Sequence, residues 1–196
     1  MTQTPKPRKW KPVTYPMVER MAVRYLQRFP ASRSRYRTIM RQKLKRYEHP
    51  TPPNETELAE WVEAAEAFCL KAGLLDDHAL SNALARSYHR RGNSLRTVKA
   101  KLRRKGFDAE TIQAAIEDFL MHFEGRPDDA DLIAALRYLR KRRFGPFYGR
   151  EMDWKQRRKQ MAALARRHLS FDVCQRAMSM ELETAQTVLY EADYKT

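Results

Sequence analysis

The sequence predicts an all-α protein of tandem three-helix repeats, about nine helices in all, and three observations carry that expectation. The 196 residues include only 6 Gly and, with 7 Val and 4 Ile, few of the β-branched residues that pleated sheets favour. A Rossmann sheet, a barrel and a β-sandwich are therefore set aside. The 42% apolar fraction is drawn largely from 18 Leu, 23 Ala and 9 Met, residues that close-packed helices accept. Charge, finally, alternates in blocks. Residues 1–53 carry 14 basic and 2 acidic side chains, 54–85 carry 1 and 7, and 86–106 carry 9 and none. The alternation continues with 1 and 8 in 107–134, 12 and 2 in 135–168, and 2 and 5 in 169–196. An array whose every unit offers one basic and one acidic helix produces that order by construction.

The first repeat is expected over 16–73, behind a basic tail at 1–15 that is expected to be disordered, with Trp10 and Tyr15 as its anchors. Met17, Met21, Tyr25 and Leu26 line one face of a helix that Pro30 ends. Ser32 or Ser34 caps the next helix, whose apolar stripe of Ile39, Met40, Leu44 and Tyr47 runs among Arg37, Arg41, Lys43, Lys45 and Arg46. Residues 49–53 form a proline-rich break. Asn54 caps a third helix with Glu55 and Glu57 in its first turn, where the macrodipole favours anions. Leu58, Trp61, Val62, Ala65 and Phe68 share one side of it, and Gly73 stops it.

The second repeat, 74–125, opens with an apolar pair before the carboxylates of Asp76 and Asp77, which read as helix caps. Leu80, Leu84 and Tyr88 carry its first helix to Arg91-Gly92. Ser94 caps a helix with Leu95, Val98 and Leu102 at spacings of 3 and 4 and only cations at its charged positions; Gly106 is placed as its left-handed stop. Asp108 opens the acidic helix of Ile112, Ala115, Ile116 and Phe119.

The third repeat, 126–196, runs from Asp128 through Ile133, Leu136 and Leu139, crosses a loop of Gly, Pro and aromatics from Phe144 to Gly149, and resumes from Trp154 to His168. Ser170 caps a single final helix that carries Val173, Cys174, Ala177 and Met178, then Leu182 and Val188. Packing of the loop's rings onto neighbouring helices is favoured over stacking on single-stranded bases. With Leu44, Leu102 and Leu164 in register, basic run, stop, apolar residue and cap coincide, except that His168 stands where a Lys-Gly pair would end the third basic helix.

The run Gly73-Leu74-Leu75-Asp76-Asp77, then Ala79-Leu80, Tyr88 and Arg90, then Ser94 through Leu102-Arg103-Arg104-Lys105-Gly106-Phe107, resembles the RecX family of bacterial recombination regulators. The match is strongest over 73–116, looser over 16–72 and weakest over 128–196. Asn93 departs from the family's usual Gly or Pro before the capping serine. The resemblance implies three tandem three-helix units in an elongated, curved body that binds the RecA recombinase filament, mostly lowers its ATPase and strand-exchange activity, and performs no chemistry itself. An array exposes a long surface and buries little core per unit, which suits contact with a polymer.

The net charge of +15 points on its own to a polyanion or an acidic protein surface. The candidate partner- or DNA-binding residues are Arg37, Arg41 and Lys45 in the first basic run, Arg90, Arg91, Arg96, Lys99, Lys101, Arg103, Arg104 and Lys105 in the second, and Arg157 and Arg158 in the third. Asp76, Asp77, Ser94 and Gly106 are assigned structural roles. Single- or double-stranded DNA is an expected contact through phosphates, because an Arg/Lys stripe without interleaved Asn or Gln is poorly suited to reading bases. A helical DNA-binding protein with no recombinase partner is the alternative.

No Gly-rich phosphate loop, His-Glu-x-x-His or Gly-x-Ser-x-Gly occurs, so no catalytic residue and no cofactor is nominated. Asp76-Asp77-His78 is read as capping and not as a metal site; His89, His122 and His168 fall in separate helices and are expected to be exposed or half-buried. Cys69 and Cys174 show no disulfide or zinc spacing, and no apolar stretch suits a membrane or a signal peptide, so a reducing cytosol is expected; the protein is also expected to be monomeric.

Overall fold

Six of the helices begin where a short polar side chain satisfies a first-turn N–H group. Ser32 accepts from the Arg35 N–H, Asn54 from Thr56, Ser94 from Thr97, Asp108 from Thr111 and Ser170 from Val173. Asp153 forms a capping box with Gln156. The computed structural model describes residues 12–46 and 54–195. Among the described residues there is no strand; the helices are α1 (Tyr15–Arg28), α2 (Arg33–Lys45), α3 (Glu55–Lys71), α4 (Asp77–Arg90), α5 (Leu95–Arg104), α6 (Ala109–Leu120), α7 (Pro127–Arg142), α8 (Trp154–Ala165), α9 (Phe171–Ser179) and α10 (Leu182–Lys195). None of them is long and apolar enough to cross a membrane. Trp10, Tyr47 and most of the expected tail and proline-rich break lie outside the described residues.

The chain divides into two compact units, Met1–Asp77 and His78–Thr196. The core of the first joins Val18, Ala22 and Leu26 of α1 to Tyr36, Met40 and Leu44 of α2 and to Val62, Ala65 and Cys69 of α3. Val13 is buried with them. The buried face of α1 is thus displaced by one residue from the expected stripe: Met17, Met21 and Tyr25 are only half-buried, while Val18 and Ala22 are buried. Phe68, expected in the core, is 43% exposed, and Cys69 takes its place. The Tyr36 hydroxyl donates to the Val62 carbonyl at 3.3 Å, so the one polar atom of that ring is satisfied.

The second unit holds two apolar clusters. One gathers Ala85 of α4, Leu95, Val98 and Leu102 of α5, and Ile112, Ile116 and Phe119 of α6. The α5 and α6 faces are those the spacing predicts. The other joins Leu132, Leu136 and Leu139 of α7 to Leu164 of α8, Val173, Cys174, Ala177 and Met178 of α9, and Ala185 and Leu189 of α10. Phe144 and Phe147 of the aromatic loop pack on it, and the Gly145 N–H donates to Gln160 Oε1 at 2.8 Å.

The expected single final helix is two. Met180 adopts an extended conformation (φ −69°, ψ 143°) and separates α9 from α10. The Ser179 hydroxyl donates to the Gln175 carbonyl at 2.9 Å, a local bond that competes with helix continuation. Ten helices result among the described residues.

Candidate functional site

The basic helix α5 is held from its buried side. Leu95, Val98 and Leu102 are at most 7% exposed, so the cations of the helix can only occupy its remaining surface. Its N-terminus is secured twice, by Ser94 and by Asp131 of α7, whose Oδ1 accepts the Leu95 N–H at 2.7 Å. Burial, with the Asp128 charge adding to it, pushes the Asp131 carboxyl up to about 6 against the opposing effect of the Leu95 hydrogen bond. At its C-terminus Gly106 has φ +87°, the left-handed stop its position suggests.

The α5 cations divide between two sides. Arg96, Lys99 and Arg103 line a groove of about 510 Å³ whose other walls include Leu95, Ile116, Leu120, Pro127 and Asp131. Arg96 and Arg103 are exposed, and Lys99 Nζ donates to Gln113 Oε1 at 3.3 Å. On the other side the Lys101 ammonium lies 5.0 Å from the Tyr88 ring centroid. Burial lowers its pKa first, and the nearby charges of Arg167, Arg104 and Arg91 lower it further, so four cations converge there. Arg90 and Arg91 are exposed at the end of α4, and Lys105, the C-cap of α5, is exposed as well.

Arg167 was not among the expected site residues. It follows α8 and reaches back across 75 positions to donate to the Gly92 carbonyl at 2.9 Å, with its guanidinium carbon 4.8 Å from the Tyr138 ring centroid. Its own carbonyl accepts from Ser94 Oγ at 2.6 Å and Thr97 Oγ1 at 3.3 Å. His168 completes this turn with φ +59°, the left-handed role that Gly106 plays after α5. Asn93, the departure from the family pattern, is buried, and its Nδ2 donates to the Tyr88 carbonyl at 2.6 Å.

Gly92 shapes the same junction. A Cβ there would stand 3.0 Å from the Tyr138 nitrogen and 3.1 Å from the Ala134 oxygen, both backbone atoms of α7, and its φ is +73°. Only glycine meets both conditions.

Elsewhere the expected residues behave differently. Arg37, an expected partner contact, is hydrogen-bonded through Nε and Nη2 to the buried carboxylate of Glu66, which also accepts from Arg33 Nε at 2.7 Å. Burial pushes the Glu66 carboxyl up, but the Arg37 and Arg33 hydrogen bonds outweigh it and hold it below its ordinary value. Arg41 and Lys45 line a separate shallow pocket with Glu55 and Leu58 in the first unit. Arg157 and Arg158 are exposed on α8. Asp77 Oδ1 accepts the Arg33 N–H at 2.9 Å, so it serves the start of α2, while Asp76 immediately precedes α4.

His89 corrects the expectation of exposure. It is 1% exposed, its Nε2–H donates to the Ala130 carbonyl at 2.7 Å, and its Nδ1 accepts from Arg137 Nη1 at 3.1 Å. That pattern requires a neutral imidazole. Burial, chiefly, lowers its pKa to about 4; the Ala130 hydrogen bond opposes this and Arg137 adds to it. Arg137 in turn donates to Asp193 Oδ1 at 2.6 Å, so one polar line ties α4, α7 and α10 together.

The described residues form an all-helical protein with small apolar cores and cation-rich helix faces, and the comparisons give its family. The family model described as RecX, second three-helix domain, matches residues 76–116, the segment of α4, α5 and most of α6. The chain is 33% identical over 169 residues to a Regulatory protein RecX of Agrobacterium fabrum, covering 86% of this chain and 85% of that protein. It is also 33% identical to a Regulatory protein RecX of Myxococcus xanthus, covering 88% of each. The crystal structure of RecX from Lactobacillus salivarius superposes with a TM-score of 0.56 at 14% identity, over 92% of this chain and 97% of that one. A second crystal structure of regulatory protein RecX gives 0.57 at 18% identity, over 85% and 72%. The chain belongs to the RecX family of regulatory proteins.

Proposed function

We propose that the chain is a non-enzymatic regulator that binds the RecA recombinase filament and lowers its ATPase and strand-exchange activity in DNA repair and recombination. The groove of Arg96, Lys99 and Arg103 is its contact with the filament. The observation that supports this reading most is the sorting of cations on α5: three line a groove with an apolar floor, and none of the three has an ion-pair partner among the described residues. Cations free of ion-pair partners above apolar surface suit an acidic protein face that also offers side chains to bury. The relatives' name, regulatory protein, agrees with a binding role. On this reading the helices group as three repeats, α1–α3, α4–α6 and α7–α10, acting as a monomer in the cytosol.

A second reading, direct contact with DNA phosphates and no recombinase partner, draws on the convergence of Arg91, Lys101, Arg104 and Arg167. Co-sedimentation with RecA filaments on single-stranded DNA, against the same DNA bare, separates the two. Filament binding at least tenfold tighter than DNA binding supports the regulator. Equal binding to both, with RecA turnover altered only through competition for DNA, supports the plain DNA binder.

A further inference from the structure

The α1 face displaced from the core carries a second cationic feature, in the first unit and remote in sequence from α5. Arg20, Arg24 and Arg28 recur every fourth residue and line, with Lys43 of α2, a groove of about 870 Å³ that has no acidic residue among the described residues of its walls. Steps of four place successive guanidinium stems ~6 Å apart along the helix. The one acid of α1, Glu19, is hydrogen-bonded by the Tyr15 hydroxyl. None of the four cations has an ion-pair partner among the described residues.

Aromatic surface lies in the same groove. Phe29 caps α1 in an extended conformation (φ −136°, ψ 91°), its N–H bonded to the Tyr25 carbonyl, and its ring stays 60% exposed. The Tyr25 and Phe29 ring centroids are 5.7 Å apart, and the Lys43 ammonium stands 5.8 Å from the Tyr25 ring. A single exposed apolar side chain is ordinary on a protein surface. One packed against a second, tilted ring at the end of a row of cations is a different arrangement: it joins backbone attraction to a platform for a flat apolar face.

We propose that this groove binds single-stranded nucleic acid, with Arg20, Arg24, Arg28 and Lys43 holding successive phosphates and the exposed ring of Phe29 receiving an unpaired base. Duplex is disfavoured because its bases are stacked on each other and present no face to Phe29. The site does not rest on the recombinase reading, and its test contains no recombinase.

The test is fluorescence anisotropy of a labelled oligo-dT and of a duplex of equal length, titrated with the full chain over a series of salt concentrations. The charge-neutral variant Arg20→Gln/Arg24→Gln/Arg28→Gln is expected to lower the slope of log affinity against log salt on oligo-dT by about 2, at roughly 0.7 per phosphate contact. Phe29→Ala is expected to weaken oligo-dT binding about tenfold while leaving duplex binding unchanged, and Phe29→Trp to restore it. All four positions are exposed, and circular dichroism checks that the variants retain their helix. A wild-type chain that fails to bind oligo-dT, an unchanged salt slope in the triple variant, or equal losses on strand and duplex in Phe29→Ala overturns the assignment.

Discussion

The hydroxyl of Ser94 donates to the main-chain carbonyl of Arg167 at 2.6 Å while it accepts the Thr97 N–H at 3.3 Å. One side chain therefore both starts the basic helix α5 and fastens it to the turn after α8, 73 residues away. The buried hydroxyl gives α5 a fixed attachment at the end from which its cationic faces diverge.

Ser94→Ala removes the cap and leaves the Arg167 carbonyl with only the longer Thr97 bond. The expected loss is about 1–3 kcal/mol, a cap's usual contribution plus part of a buried hydrogen bond. Urea denaturation of the full chain measures it, and Ser94→Thr is expected to recover part of the loss.

Gly92→Ala combines a left-handed φ with backbone atoms at 3.0 and 3.1 Å. Conformational strain and forced displacement of α7 together are expected to cost about 2–4 kcal/mol. The same substitution at Gly73, which has nothing within 4 Å, is expected to cost only the strain, about 1–2 kcal/mol. Thermal unfolding of the two variants side by side gives the difference.

His89 and Asp131 make opposite contributions to stability in the same pH range. The His89 pKa falls from its ordinary 6.5 to about 4 on folding, so its contribution is fully present above 6.5 and is lost as pH falls through 4. That loss is roughly 3 kcal/mol. The Asp131 pKa rises from 3.8 to about 6, so its contribution is fully present below 3.8 and is lost as pH rises through 6. Between pH 4 and 6 the two slopes oppose each other. Asp131→Asn, which keeps an acceptor for the Leu95 N–H, is expected to raise stability relative to the parent chain above pH 6 and not below pH 4. Urea midpoints across pH 4–8 test both slopes.

Glu66 is 2% exposed and joins Arg33 and Arg37, whose side chains are nearly half exposed. Glu66→Gln keeps one acceptor oxygen, sets an NH2 donor against an arginine N–H in place of the other, and removes the buried charge the two arginines share. Because water reaches both guanidinium groups, the expected cost is moderate, about 1–3 kcal/mol. Arg37→Ala is expected to lower the unfolding temperature while leaving recombinase inhibition within about twofold, and an inhibition assay checks this.

The most local features of the fold were legible in the sequence. Caps at Ser32, Asn54, Ser94, Asp108 and Ser170 depend on residues within one turn, and the buried faces of α5 and α6 follow from spacing alone. In α1 and α4 apolar residues occupy two adjacent faces, so periodicity could not decide that Val18 and Ala85 would turn inward ahead of Met17 and Leu84. The break at Met180 carries no proline or glycine to announce it. Within the candidate site the cations of α5 were readable as a block, but their partition was not. It depends on Asp131, Arg137 and Arg167, which arrive from 36 to 75 positions away to meet Leu95, His89 and Gly92.

The most direct test of the regulator reading is RecA-dependent ATP hydrolysis on single-stranded DNA in the presence of the chain and of its Arg96→Glu/Lys99→Glu/Arg103→Glu variant. All three side chains lie off the buried face of α5, so the helical content of the variant should match that of the parent chain. Inhibition by the parent chain that weakens at least tenfold in the variant is the expected result. Undiminished inhibition by a fully helical variant would contradict the role assigned to this groove.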